Sequence, residues 1–201
     1  MSAFFDDAAK RRVREAVERI EASCGAEVVV AVRKRSFSYR HSHYLFGFLV
    51  ALALLSALLF LPQTFDIITW PFEIAAAFGA GALLCSIVGP LERTLTGRRA
   101  MQEQVSRAAK AAFVDLGISG TRDRSGLLIY VSVAERMASV VSDIGLSEAD
   151  YREARAAIEE SIARIDFDAF VQAIERLAEP LAQAVPRRAD DINELPDEVA
   201  S

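Results

Sequence analysis

The chain has 201 residues and a mass of 22.0 kDa, which allows one soluble domain of ordinary size and one further element. Hydrophobic residues make up 52% of the sequence although 25% are charged, so a disordered chain is excluded and the apolar residues must be concentrated locally. The net charge of -5 argues against a nucleic-acid partner, which requires a basic face. Two cysteines are too few for a disulfide framework.

The first predicted elements are a helix and a strand. Asp6 or Asp7 can cap a helix that Gly25 is placed to end. Apolar residues recur along this helix at helical spacing: Val13, Val17, Ile20 and Cys24. Residues 27–32 read EVVVAV, and such a short β-branched run predicts a strand that is covered on both faces.

Two long apolar stretches follow. Residues 45–61 contain no charged residue, and residues 70–88 contain only Glu73. At about 1.5 Å per residue, helices of these lengths span about 26 and 28 Å, close to the roughly 30 Å hydrocarbon core of a bilayer. A buried helix of a soluble protein keeps a polar stripe, but the first stretch has no polar residue except Ser56. We therefore predict a transmembrane hairpin of two helices over residues 44–89.

The flanks of this hairpin are basic, whereas its connector, residues 62–69, carries only Asp66. The basic residues before and after the two stretches are Arg33, Lys34, Arg35, Arg40, Arg93, Arg98 and Arg99. Because basic flanks prefer the cytoplasmic side, we predict a multi-pass protein of the inner membrane with both termini and the folded domain in the cytoplasm. Tyr44 and Trp70 lie at the span edges, where amphipathic rings contact the lipid bilayer interface.

The part after the hairpin predicts a helix and two strands. Apolar spacing indicates a helix over 101–116 that stops at Gly117. Strands are predicted at 126–133 and near 138–143, and the four residues between them permit only an antiparallel pair. The first strand, the helix and the second strand form a crossover, so those two strands are expected to be parallel.

Two further helices are predicted before the C-terminus. Ser147 with Asp150 resembles a capping box, and helical spacing of apolar residues follows it. Asp166 restarts a helix that Pro180 should kink or shorten. Residues 187–201 hold five acids and few apolar residues, which predicts a flexible acidic tail. The element order is that of an α/β domain.

Two segments share their pattern with a known family. Residues 25–32 read GAEVVVAV, and residues 124–146 read RSGLLIYVSVAERMASVVSDIGL. The longer segment combines a glycine before an aliphatic strand, an acidic-Arg turn and a closing Gly-Leu pair: Gly126, Glu135-Arg136 and Gly145-Leu146. On these residues the chain resembles a TPM domain, in two parts at 1–43 and 90–186. It is similar to bacterial members with a hydrophobic hairpin after the first strand and a tail like NELPDEV, residues 193–199.

The resemblance implies a fold, a location and two activities. The fold is a three-layer α/β sandwich with helices on both faces of a small mixed sheet, held at a membrane. The family is associated with the assembly or maintenance of membrane complexes, and some members are credited with binding divalent metal and with phosphatase activity. Many relatives continue the closing Gly-Leu into an acidic loop, whereas here Leu146 leads directly into SEADYREA.

The candidate binding residues lie in and near the turn at 120–126, GTRDRSG. Arg122 and Arg124, with the backbone amides of a glycine-flanked turn, could hold a phosphate or carboxylate. The alternative is a solvated turn near anionic headgroups. Asp123 and Asp143 lie near the ends of the two later strands and could supply oxygen ligands to Ca²⁺ or Mg²⁺.

Other reactive side chains are assigned no site. Glu135 lies in the opposite turn, so it cannot join Asp123 and Asp143. His41 and His43 have no third ligand nearby and are interpreted as polar residues beside the membrane. Ser132 has no paired histidine and aspartate in the soluble segments, so a hydrolase triad is unsupported.

Two classes of function remain open. The first is a non-enzymatic, membrane-anchored module for the assembly or maintenance of membrane complexes, whose partner is another membrane protein. The alternative is a divalent-metal-dependent phosphatase, which rests on the family resemblance and the arginine turn. We take the first as the prediction.

Overall fold

The computed structural model describes residues 6–61, 66–121 and 123–188. The chain divides into two compact units, an α/β unit of residues 1–36 with 102–201 and a hairpin unit of residues 37–101. The helices and strands are α1 (Asp7–Glu21), β1 (Val28–Arg33), α2 (Arg40–Phe60), α3 (Trp70–Ile87), α4 (Gly89–Thr96), α5 (Arg98–Asp115), β2 (Leu127–Ser132), β3 (Met137–Ser142), α6 (Arg152–Arg164), α7 (Phe167–Glu175) and α8 (Ala178–Ala184).

The sheet has three strands in the order β1-β2-β3. β1 and β2 run parallel, with Val30 opposite Ile129, and β2 and β3 run antiparallel, with Ile129 opposite Val140. The predicted crossover and the predicted strand pair are therefore confirmed. Five of the six residues of β1 are buried, as its continuous apolar run indicated, and all six residues of β2 are buried as well.

Helices cover both faces of this sheet, because alternate strand residues point to opposite sides. On one face, Val30, Ile129 and Val140 share a core with apolar residues of four helices: Val17 and Ile20 of α1, Ile158 of α6, Phe170 and Ile174 of α7, and Leu181 of α8. On the other face, Val29 and Leu128 pack with Val105, Ala109 and Phe113 of α5. The mixed α/β class and the helices on both faces of the sheet are thus observed.

The N-terminal end of α1 agrees with the prediction, whereas its C-terminal end does not. Asp6 caps the helix as predicted, with its Oδ1 accepting from the Ala8 N–H at 3.2 Å. The helix ends at Glu21, three residues before Cys24, although Cys24 fits the apolar spacing. Cys24 is buried beyond the helix, where it forms an isolated antiparallel bridge with Pro186. At this position the apolar residue indicated a buried side chain and not a helical backbone.

The last predicted helix is divided in two. Asp166 caps α7 by accepting from the Ala169 N–H at 2.9 Å, as expected. α7 ends at Glu175, and α8 starts so that Pro180 is its third residue. A proline is tolerated there because N–H groups in the first turn have no intrahelical partner. Beyond α8, Arg187 donates to the Ala22 carbonyl at 2.8 Å. The rest of the predicted tail, 189–201, lies outside the described residues.

In the hairpin unit, α2 and α3 pack along small residues. Gly47, Ala51, Gly81 and Cys85 are buried between them. A Cβ added at Gly81 would lie 3.0 Å from the Gly47 Cα, whereas one added at Gly79 would meet nothing within 4 Å. Gly81 thus permits the close approach of the two helices, whereas Gly79 is exposed.

By length and composition, α2 and α3 could each cross a membrane. Large apolar side chains cover their exposed surfaces, among them Phe48, Leu52, Leu59, Phe60, Phe72, Leu83 and Ile87. The short helix α4, which was not predicted, follows α3 at once, with Pro90 in its first turn.

Candidate functional site

The predicted arginine turn is built around an ion pair at one end of the sheet. Arg124 Nε donates to Asp143 Oδ2 at 2.8 Å, and the Ile144 N–H donates to Asp143 Oδ1 at 2.7 Å. Burial of the Asp143 carboxylate acts to raise its pKa, but the hydrogen bonds from Arg124 and Ile144 outweigh this effect, so the pKa lies below its usual value. The pair therefore stabilises the fold at neutral pH, and this contribution is lost as the pH falls through the lowered pKa.

The pairing joins two residues that were assigned to different ligands. Arg124 was a candidate for an anion and Asp143 for a cation, and here each binds the other. Asp123 instead accepts from Arg188 Nη1, at 3.0 and 3.2 Å to its two oxygens. Arg122 lies outside the described residues. Within the described ranges, no group of three or more His, Cys, Asp or Glu side chains could hold a metal ion.

Two glycines allow the chain segments to meet at this end. A Cβ on Gly145 would lie 2.5 Å from the Arg124 carbonyl oxygen, and the Gly145 N–H donates to that oxygen at 2.9 Å. A Cβ on Gly126 would lie 2.5 Å from Ile118 Cγ2. These positions therefore require residues without a side chain, which gives a physical reason for the two glycines of the sequence pattern.

A buried polar chain that sequence reasoning missed lies at the opposite end of β2. Ser36 donates to Ser132 Oγ at 2.5 Å and lies 3.2 Å from the Tyr130 hydroxyl. Ser132 in turn donates to Glu135, which is buried in the turn between β2 and β3. As predicted, Glu135 therefore lies at the opposite end of these strands from Asp143. The chain ties the segment after β1 to this turn. Its one sequence signal was the polar Ser132 within an otherwise apolar buried strand.

A second missed cluster lies at the base of the hairpin. His43 Nε2 lies 2.6 Å from Glu92 Oε1, and the Glu92 side chain is 3% exposed. Next to this pair, Ser42 Oγ lies 2.7 Å from Thr96 Oγ1, and the Cys85 sulfur lies 3.7 Å from the Ser42 carbonyl. His41 and His43, which the sequence did not distinguish, therefore differ: His41 is exposed and His43 is paired across two helices.

The predicted interface residues lie at the end of β1 and in the turn after it, near the starts of α2 and α3, and in α4 and α5. Arg40 Nη2 donates to the Tyr44 hydroxyl at 3.1 Å, and the Tyr44 side chain is half exposed. Trp70 is the first residue of α3. The basic residues are exposed or half-buried: Arg33, Lys34, Arg35, Arg93, Arg98 and Arg99. Their contact with lipid stays a prediction.

Together these features define a mixed α/β protein with an inserted apolar helical hairpin. No protein-family model and no curated protein matches the chain. The NMR structure of the BA42 protein from the psychrophilic bacterium Bizionia argentinensis is similar in fold, with a TM-score of 0.57. The match covers 97% of this chain and 93% of that chain at 17% sequence identity, so it supports the fold alone.

Proposed function

We propose that this protein is a membrane-anchored interaction module of the TPM type, in which α2 and α3 cross the cytoplasmic membrane and the α/β unit lies on the cytoplasmic side. The observation that carries the proposal is the arrangement of the hairpin. Gly47, Ala51, Gly81 and Cys85 are buried between the helices, whereas many of the large apolar residues of the hairpin are exposed. A bilayer is the environment in which this arrangement leaves no apolar surface in water.

The exposed fraction argues against a hairpin that forms the core of a soluble protein. Only 17% of the most apolar window of α2 and 11% of that of α3 is buried, whereas core helices are mostly buried. The spans also follow α1 and β1, which supply Val17 and Val30 to the core of the α/β unit. A cleavable leader would not carry such core elements before its apolar segment.

The charge distribution supports the proposed orientation. Basic residues precede α2 and follow α3, while residues 66–69 of the connector contain Asp66 and no Lys or Arg. Cytoplasmic flanks of membrane spans are enriched in Lys and Arg. Both ends of the hairpin would accordingly face the cytoplasm, together with the α/β unit.

The interaction role is supported by the edge strand β3. Five of its six residues are half-buried, whereas β1 and β2 are almost entirely buried. A short edge strand with accessible backbone can pair with a strand of another protein. We propose that the partner is another membrane protein, which the anchor would concentrate in the same bilayer, and that the protein serves the assembly or maintenance of a membrane complex.

Affinity isolation after extraction in mild detergent tests this role. We expect the wild-type chain to retain a membrane-protein partner and Ser139→Lys to lose it, because a lysine on an edge strand opposes strand pairing. Ser147→Lys, in the exposed loop after β3, is the matched control and should retain the partner. Recovery of the wild-type protein alone under several extraction conditions would contradict the interaction role.

A further inference from the structure

The charged residues of the hairpin unit, residues 37–101, are divided between its two ends. Asp66 lies in the connector and Glu73 in the first turn of α3, while the third acid, Glu92, is buried in α4. The four arginines lie at the opposite end from the connector, on α2, α4 and α5: Arg40, Arg93, Arg98 and Arg99. We propose that this arginine cluster binds the phosphate groups of anionic phospholipids.

Contacts between the helices bring the arginine cluster together. The helix α4 packs against both α2 and α3. The hydroxyl oxygens of Ser42 on α2 and Thr96 on α4 lie 2.7 Å apart, and the Tyr39 hydroxyl lies 3.8 Å from the Met101 sulfur. Along the chain, these two contacts flank the arginine on α2 and the two arginines on α5. Three helices therefore supply arginines to the same end of the hairpin unit.

The arginine cluster is accessible and positively charged. Three of its arginines are exposed and Arg93 is half-buried. Among the described residues, no carboxylate pairs with any of the four, and Arg40 donates to the neutral Tyr44 hydroxyl at 3.1 Å. The acid at this end, Glu92, is 2% exposed and lies 2.6 Å from His43. The exposed charge at this end of the hairpin unit is therefore positive.

The level of the arginine cluster along the hairpin matches that of lipid headgroups. Arg40 precedes Leu45, the first residue of the apolar stretch, by five positions, which is about 7.5 Å along a helix axis. The polar layer on each side of the hydrocarbon core is roughly 5–8 Å thick. Because α4 lies beside Ser42 on the first turn of α2, Arg93 lies near the same level. This step rests on the proposed insertion of α2 and α3 into a bilayer.

The chemistry of the guanidinium group favours phosphate as the ligand. Its planar fork donates two parallel hydrogen bonds to phosphate oxygens. Phosphatidylcholine also carries a phosphate, but its choline cation balances the charge, whereas phosphatidylglycerol has a net negative charge. Each basic residue near an anionic membrane surface adds to the attraction. We therefore expect the arginine cluster to prefer anionic over zwitterionic lipid.

Native mass spectrometry of the full-length chain in nonionic detergent micelles tests this preference. The chain is titrated with equal amounts of dioleoylphosphatidylglycerol and dioleoylphosphatidylcholine, and the affinity of each lipid is obtained from its adducts. We expect the wild-type chain to bind the anionic lipid roughly tenfold or more tightly than the zwitterionic lipid.

Variants on two helices assign the preference to the arginine cluster. One arginine contributes about fivefold in affinity, so Arg40→Gln on α2 should lower binding of the anionic lipid about fivefold. Arg98→Gln combined with Arg99→Gln should lower it by roughly tenfold or more. The matched control combines Arg11→Gln and Arg152→Gln, which remove the same charge from exposed positions of the α/β unit and should leave the preference unchanged.

The outcomes separate the lipid site from the anchor. Equal affinity of the wild-type chain for the two lipids, or an equal loss in the control pair, would overturn the lipid site and leave the anchor standing. Binding of neither lipid would overturn both. Displacement of the anionic lipid by inorganic phosphate, but not by chloride at the same ionic strength, would identify a site for a soluble anion and would also overturn the proposal.

Discussion

Gly81→Leu is expected to destabilise the hairpin unit by about 1–3 kcal/mol, the usual cost of overpacking a close contact. The Gly81 position has no room for a side chain, because an added Cβ would lie 3.0 Å from the Gly47 Cα and 3.0 Å from the Val50 Cβ. A leucine would force α2 and α3 apart. Trp70 is the only tryptophan of the chain and the first residue of α3, so its fluorescence reports on the unfolding of the hairpin unit. Its fluorescence in micelles should show a lower thermal midpoint.

Gly79→Leu is the matched control on the same helix. An added Cβ at Gly79 meets nothing within 4 Å, and leucine has a higher helix propensity than glycine. The midpoint of this variant should be unchanged or slightly raised. Equal losses in Gly81→Leu and Gly79→Leu would contradict the close packing of α2 against α3.

Gly145→Ala is expected to destabilise the α/β unit by about 1–3 kcal/mol through the same kind of overlap. The added Cβ would lie 2.5 Å from the Arg124 carbonyl oxygen and 2.8 Å from that of Asp123. Both obstacles are backbone atoms, so a side-chain rotation cannot relieve them. Because Trp70 lies in the other unit, hydrogen exchange of the β2 and β3 amides is the suitable measurement, and exchange should become faster.

Gly120→Ala is the control for this substitution. An added Cβ at Gly120 meets nothing within 4 Å, and the backbone there does not have a positive φ. Alanine at a compatible position reduces the entropy of the unfolded chain, so exchange should be unchanged or slower. A Gly145→Ala chain whose strands exchange as slowly as those of Gly120→Ala would refute the tight crossing at Arg124.

The pairing of the strands could be predicted from the sequence because it depends on local patterns. The short apolar run that became β1 indicated burial on both faces, and the four-residue connection between β2 and β3 allowed only an antiparallel pair. The caps at Asp6 and Asp166 were equally local. Each of these signals lies within a few residues of the structure that it specifies.

The candidate sites could not be predicted in the same way, because their contacts join distant residues. His43 and Glu92 are 49 positions apart, and Ser36 and Ser132 are 96 apart. Arg124 was interpreted by its own chemistry, as an anion ligand, and nothing local to it indicated a partner 19 positions later. Similarly, Gly79 and Gly81 lie in one small-residue stretch, and the orientation of α3 decides which of them faces α2.

Helix ends were the other source of error. Cys24 fits the apolar spacing of α1 but is buried after the helix has ended. Pro180 was expected to kink or shorten a helix; the helix is shortened to Glu175, and Pro180 lies in the first turn of the separate helix α8. In both cases a residue satisfied the pattern for a reason other than the one assumed, since burial and proline tolerance do not by themselves fix where a helix begins or ends.

Labelling with a membrane-impermeant maleimide in spheroplasts tests the proposed anchoring most directly. Single cysteines are placed at Ile67, in the exposed connector, and at Ser147, in an exposed loop of the α/β unit, with Cys24 and Cys85 replaced. We predict that Ile67→Cys is labelled in intact spheroplasts and that Ser147→Cys is labelled only after lysis. Labelling of Ser147→Cys before lysis, or recovery of the chain in the soluble fraction, would contradict a hairpin that anchors the folded unit to the cytoplasmic face.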